Sequence, residues 1–279
     1  MGLILIGLVL VFCFGRSRKQ EHDMIKEKLI EYLKNENVEG AFAVKNLSTG
    51  ESYGFRESEI VPSASLIKVF ILIRAFSLIK KGDISLADEI EVKQEDIVAF
   101  SVLEFLKPRK YQLEELLRLM IVYSDNTATN VLMDLFGIDA INNEIAAIGY
   151  SDSVLQRKMM DFKAAEEGRQ NYTSVKEMFD LMERLYTNSV LGAPYDGQMI
   201  EIMKGQADET MMRQELPDEI VIARKSGELD ALDHDIAIVY TDKCDYIYVF
   251  FTWDARDNNQ ARDVLSKTSR MVFDDFIDK

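Results

Sequence analysis

An α+β fold is predicted: an antiparallel sheet built from the N- and C-terminal segments, flanked by the terminal helices, with a helical lobe inserted between them. Three observations carry this expectation. Period-two apolar alternation is confined to the two ends of the chain, and helical periodicity dominates from Pro62 to about Met203. The chain has 279 residues, 47% hydrophobic and 29% charged, enough for one large domain or two lobes sharing a core.

The elements follow in order. Residues His22 to Asn35 read as an amphipathic helix. "GAFAVKNLSTG" and "ESYGFRE" read as two short strands hinged on Ser48-Thr49-Gly50, a hairpin signal. "SLIKVFILIRAFSLIKKGD" reads as one long helix stopped at Gly82, and "QLEELLRLMIVY" as another. "NTATNVLMDLFG" and "DAINNEIAAIG" are helices ended by Gly137 and Gly149, and "TSVKEMFDLMERLY" opens with Ser174 and Glu177 at capping-box spacing. The period then changes to two in "EIVIARKSG", "DIAIVYT" and "DYIYVFFTW", before a final helix from about Asn258 to Ile277. The sheet lobe is therefore expected over about 21–62 and 216–279, and the helical lobe over about 63–215. A chain that leaves a sheet and returns to it leaves a cleft where the lobes meet, a usual place for a site. No internal repeat or low-complexity linker interrupts the pattern.

Composition narrows the function. Lys plus Arg number 33 against 48 Asp plus Glu, a net charge of −15, and no clustered basic stretch follows Arg16–Lys19, so nucleic acid is set aside as a partner. Two cysteines (Cys13, Cys244) and two histidines (His22, His234) cannot assemble a Cys/His zinc set, and no metal or other cofactor is implied. The uncharged run Leu3 to Phe14 is short for a bilayer span and fits the apolar core of an export signal. Residues 1–20 are therefore expected to be a signal peptide or short membrane anchor, and the protein to act outside the cytoplasm, secreted or tethered. A buried N-terminal helix is the alternative. With a signal removed, Cys244 stands alone and no internal disulfide is possible.

Within the apolar stretch "VPSASLIKVFIL", Ser65 and Lys68 stand one helical turn apart. A buried lysine without a partner sheds its proton, so Lys68 either reaches solvent or sits beside Ser65 for a chemical reason. A second Ser-x-x-Lys, Ser77 to Lys80, shows how readily the spacing arises by chance. It lies at a helix C-terminus, where lysines suit the dipole. Ser65 instead follows Pro62 at a helix start, where free N–H groups can hold an oxyanion. Two further motifs follow: Ser124-Asp125-Asn126 and Lys225-Ser226-Gly227.

The ordered set Ser-x-x-Lys, Ser-Asp-Asn and Lys-Ser/Thr-Gly resembles the class A β-lactamase family of serine hydrolases, and the likeness covers nearly everything after the N-terminal segment. The resemblance implies Ser65 as nucleophile, Lys68 as its base, and Ser124 with Lys225 passing a proton to the leaving nitrogen. Asn126 would offer its amide to the substrate and to Lys68. The backbone N–H groups of Ser65 and Glu228 would form the oxyanion hole, Ser226 and Lys225 would hold a substrate carboxylate, and Gly227 belongs to the same motif. Asp125 reads as a helix cap. The implied partner is a small-molecule β-lactam or a cell-wall peptide, met by a monomer. His234-Asp235 reads as turn chemistry, with the cleft rim as the alternative.

One part of the pattern breaks. In β-lactamases of this class a glutamate two positions after an arginine activates the water that releases the acyl-enzyme. Here Arg157 is followed at that spacing by Met159, which cannot accept a proton. Asp161 is the nearest substitute, if the loop is remodelled; more simply it pairs with Arg157. Glu166 and Glu167 lie further on. The expectation is acylation of Ser65 with lagging deacylation. The competing readings are a peptidase or esterase on cell-wall peptides and a sensor that binds β-lactams without turnover.

Overall fold

The computed structural model describes residues 24–277. The apolar run, the expected signal or anchor and Cys13 lie outside the described residues. Helix α1 (24–36) leads into strands β1 (Glu39–Asn46), β2 (Ser52–Phe55) and β3 (Ile60–Pro62), then a 3₁₀ turn (Ala64–Ile67) and α2 (Lys68–Lys81). Next come β4 (Glu89–Val92), β5 (Arg109–Gln112), α3 (Leu113–Val122), α4 (Asn126–Phe136), α5 (Ile138–Ala147) and the short α6 (Phe162–Glu166). The chain ends with β6 (Tyr172–Ser174), α7 (Val175–Tyr186), α8 (Tyr195–Met203), β7 (Val221–Leu229), β8 (Leu232–Tyr240), β9 (Tyr246–Trp253) and α9 (Asn258–Ile277).

The five-stranded sheet runs β2-β1-β9-β8-β7 and is antiparallel throughout, so N-terminal strands pair directly with C-terminal ones. Alternation assigns its two faces. Tyr246, Tyr248 and Phe250 of β9 pack with Leu29 and Leu33 of α1 and Val264, Leu265 and Phe273 of α9. Ile247, Val249 and Phe251 face the other way, into the core shared with α2 and α7. The sheet is thus covered on both faces, which is why "DYIYVFFTW" is apolar almost throughout.

Helix α2 is apolar on almost every side because it runs through the middle of the helical lobe, with Val69 to Ile73 fully buried. Arg74 leaves the core by pairing with Glu144 of α5 at 3.0 Å. Gly82 ends the helix in the left-handed region at φ 80°, where a side chain would be strained. The inserted lobe adds two ribbons to the helices expected there, β3 with β6 and β4 with β5. Each strand has only three or four residues, too short for period two to show in the sequence. Ser174 caps α7 as its spacing predicts, accepting from the Glu177 N–H at 3.3 Å. The Glu177 carboxylate, however, takes the N–H groups of Ser151, Asp152 and Ser153 at 2.6–2.8 Å, and so fastens the start of the loop that runs on to Met159.

Candidate active site

Ser65 lies in the 3₁₀ turn ahead of α2, not in a continuous helix, because Ala64 before it takes a left-handed φ of 46°. That turn is held from three sides. The Ser63 N–H donates to the Asn171 carbonyl at 2.8 Å, and His234 Nε2 lies 2.9 Å from the Pro62 carbonyl. Strand β7 closes the third side at Gly227, where a Cβ would come within 3.0 Å of Ala64 Cβ and 3.1 Å of the Ser65 nitrogen. Glycine in the third motif is therefore a packing requirement. It brings Gly227 and Glu228 of the sheet against the Ser65 turn, on the wall of a cleft of about 740 Å³.

Lys68 is fully buried, which removes the solvent-facing alternative. Its amine donates to the Ser124 carbonyl at 2.6 Å, the Ser124 hydroxyl at 3.0 Å and Asn126 Oδ1 at 2.9 Å. The Ser65 hydroxyl is not among its partners, although the spacing allows contact. With the cleft open, the carbonyl, hydroxyl and amide from the α3–α4 turn satisfy the amine. Contacts of this kind commonly tighten only when substrate binds. Burial first, and then the Lys225 charge, pushes the Lys68 pKa well below the ordinary amine value, with Asp125 pulling weakly the other way.

Lys225 approaches from the opposite wall. Its amine donates to the Ser124 hydroxyl at 3.1 Å and to the Ser226 carbonyl at 2.7 Å, so one hydroxyl links the two lysines. Burial brings Lys225 down to about 7; Asp208 and Asp235 hold it up, while Arg224 lowers it further. Two amines below their ordinary values around one hydroxyl form a path along which a proton can pass. Ser124 itself takes φ 53° at the turn, and Asp125 stabilises that turn by accepting from Ala128 N–H at 2.7 Å and Leu103 N–H at 3.0 Å. Asp125 is a cap, as expected.

Met159 lines the same cleft and is buried. Asn130 of α4 fixes its backbone from both ends, accepting the Met159 N–H at 2.8 Å and donating to its carbonyl at 3.0 Å. Asn171 braces the neighbouring residues through the N–H groups of Gln156 and Arg157. A thioether therefore occupies the position where the sequence pattern calls for a base. Asp161 does not replace it: it is exposed, lies off the cleft wall, and caps α6 by accepting from the Ala164 N–H at 3.0 Å. Its pairing with Arg157 is also weaker than expected. Arg157 feels the Asp161 charge, but its Nε donates to Gln170 at 2.9 Å.

His234 and Asp235 are neither on the rim nor in a turn. Both are fully buried in β8, opposite Gly227 and Ser226. The His234 ring stacks on Phe251 at 4.3 Å, and burial drives its pKa to about 4 against the pull of the Pro62 and Asp233 carbonyls. It is neutral at pH 7 and supports the Ser65 turn. Asp235 pairs with Arg224 at 3.3 Å, and Arg224 also reaches Asp208 at 3.3 Å. Asp208, Asn130 and Asn171 were missed by the sequence reading. Only Asn130, on α4 a turn beyond the Ser-Asp-Asn motif, carried any signal.

The family model described as the beta-lactamase enzyme family matches residues 24–276. A β-lactamase of Rhodobacter capsulatus is 29% identical over 68% of this chain and 67% of its own. The crystal structure of a β-lactamase from Sphaerobacter thermophilus superposes with a TM-score of 0.83 at 22% identity, covering 92% of this chain and 98% of the other. PBP-A, in a leucine-to-glutamate variant captured as an acyl-enzyme with penicillin G, superposes equally well (TM-score 0.83, 23% identity, 92% and 97% covered). Since the match runs from α1 to the end of α9 and takes in all three motifs around the cleft, the chain belongs to the beta-lactamase enzyme family, on its class A-like serine hydrolase side.

Proposed function

We propose that this chain acylates Ser65 with a β-lactam and releases the product slowly. The observation that carries the reading is the pairing of a buried, deprotonation-prone Lys68 behind the nucleophile with a pinned methionine where the deacylation base would stand. The Ser65 hydroxyl gives its proton to Lys68 as its oxygen bonds the ring carbonyl. The N–H groups of Ser65 and Glu228 face the oxyanion so formed. As the carbon–nitrogen bond breaks, Ser124 protonates the leaving nitrogen and is resupplied from the lysines on either side of it. Asn126 aligns the substrate amide. Hydrolysis of the ester then needs a water that gives up a proton, and Met159 cannot accept one. The loss of a positioned base costs about 10²–10⁴-fold in rate.

Acyl transfer on a cell-wall peptide is the second reading. It is favoured by the same methionine, since a transferring enzyme has no need to activate water. Action outside the cytoplasm, secreted or tethered through residues 1–20, belongs to the proposal and rests on the apolar run Leu3 to Phe14.

The test mixes the purified protein with a chromogenic β-lactam and follows absorbance and intact mass together. A one-to-one adduct on Ser65 that decays slowly, and is absent in Ser65→Ala, is the expected result. Rapid turnover would overturn the role given to Met159. No adduct and no turnover would overturn the reading itself.

A further inference from the structure

The Ser226 end of the cleft departs from what carboxylate binding requires. Asp208 lines this end with its side chain 25% exposed, and its carboxylate faces Arg224 at 3.3 Å and takes the Thr210 hydroxyl at 2.6 Å. Burial pushes its pKa up, but Arg224, the Thr210 hydroxyl and N–H, and the Ser226 hydroxyl together hold it below the ordinary carboxylate value. It is therefore an anion at neutral pH, beside the hydroxyl that a substrate carboxylate would need.

The surrounding charges do not cancel it. Arg224 offsets it only from behind, buried and 3.3 Å from both Asp208 and Asp235, the latter raised by burial to about 7 and so partly charged. Lys225, brought to about 7, carries only part of a charge and spends its hydrogen bonds on Ser124 and the Ser226 carbonyl. Among the described residues that line the cleft, Glu228 and Asp230 are further carboxylates, while Arg157, the one lysine or arginine of that lining, is on the loop that carries Met159. Glu228 is engaged by Arg262. An incoming carboxylate meets a fixed anion within contact range in a partly desolvated site, an arrangement that selects against like charge.

We propose that Asp208 is a specificity-determining residue of this cleft, setting it against a free carboxylate at the Ser226 end and toward acyl substrates that end there in an uncharged amide or ester. The inference rests on Ser65 acylation as the activity of this cleft. An uncharged amide can donate its N–H to the Ser226 oxygen, whose own proton goes to Asp208, and an uncharged ester brings no second anion toward that carboxylate. Asp208 also anchors Arg224, so a purely structural role is the alternative to be separated.

The experiment compares benzylpenicillin with its methyl ester, two ligands that differ by the carboxylate charge. Binding is measured by calorimetry in Ser65→Ala and in Ser65→Ala with Asp208→Asn, the second change keeping shape and removing charge. The expected result is about tenfold tighter binding of the acid on Asp208→Asn, with the ester changed less than twofold and the difference shrinking as salt is raised. Equal changes for both ligands would mean that Asp208 only braces Arg224, and would overturn the proposal. No change, or no binding of the acid by the double variant, would also overturn it, since removing the charge would not admit the carboxylate. These measurements need no acylation. Failure of the acylation reading would appear separately, as absence of an adduct on Ser65 in the unmodified chain with both compounds.

Discussion

On the proposed function, replacing Met159 by glutamate installs the missing deacylation base. Asn130 grips the backbone of residue 159 through its N–H and carbonyl, so the new side chain leaves from the same point as the old one. A base in place restores about 10²–10⁴-fold in deacylation, or roughly 3–5 kcal/mol of barrier. Stability moves the other way. Met159 is 8% exposed, and burying a carboxylate there costs several kcal/mol before any pairing. Where the new carboxylate reaches the Lys68 amine, the pair offsets part of that cost. A net loss of about 2 kcal/mol, or roughly 4–8 °C in Tm, is expected for a protein of this size. The assay is intact-mass decay of the Ser65 adduct, with Met159→Gln as the isostere that cannot take a proton. Faster decay in Met159→Glu alone, rising with pH as the glutamate ionises, is the predicted outcome. If Met159→Gln accelerates as much, loosening of the loop is responsible and the reasoning fails. If adduct lifetime is unchanged in both, deacylation is limited elsewhere.

Three further outcomes are expected. Gly227→Ala drives a Cβ to within 3.1 Å of the Ser65 nitrogen, so adduct formation should slow by about tenfold to a hundredfold while far-ultraviolet circular dichroism stays native; unchanged acylation would refute the close fit. His234 carries a folded-state pKa of about 4, below its unfolded value of about 6.5, so its contribution is intact above pH 6.5 and is lost as pH falls toward 4. It amounts to about 3 kcal/mol across that window. Asp233 and Asp235, both raised to about 7, act in the opposite sense over a similar range. The readout is therefore the difference between wild type and His234→Gln in urea titrations at several pH values, and a difference that does not vary with pH would refute the buried neutral ring. Asp125→Ala strands the buried N–H groups of Ala128 and Leu103 and should cost about 2–4 kcal/mol, read as a fall in the urea midpoint; a loss below 1 kcal/mol would contradict the cap.

Much of the fold could be read because its signals are local. Gly82 and Gly137 stop helices, and "DYIYVFFTW" is apolar almost throughout because both faces of its sheet are covered. The three motifs named the residues of the cleft, because each hydroxyl or amine there needs a particular neighbour. Contacts between distant segments were hidden. Nothing around Asp208 marks it as the partner of Arg224 and neighbour of Ser226, since the loop that carries it has no period. His234 reads as turn chemistry in "LDALDHD", because only the pairing of β8 with β7 and β9 buries it. The split between the 3₁₀ turn and α2 was also missed, because Ala64 has no intrinsic preference for φ 46° and adopts it under the press of β7.

The way the Ser65 turn is suspended bears on how the chain is made. Its three supports are Asn171, Gly227 and His234, and its sheet closes only when β9 pairs with β1. A growing chain that has passed Ser65 and Lys68 therefore has β2 on one edge of β1 but lacks both the β9 partner on the other edge and a supported Ser65 turn, and must wait through most of its synthesis for them. Contacts so far apart along the chain make assembly slow. On the proposed function, the reactivity of Ser65 then arrives with the last strands, in the same event that finishes the protein.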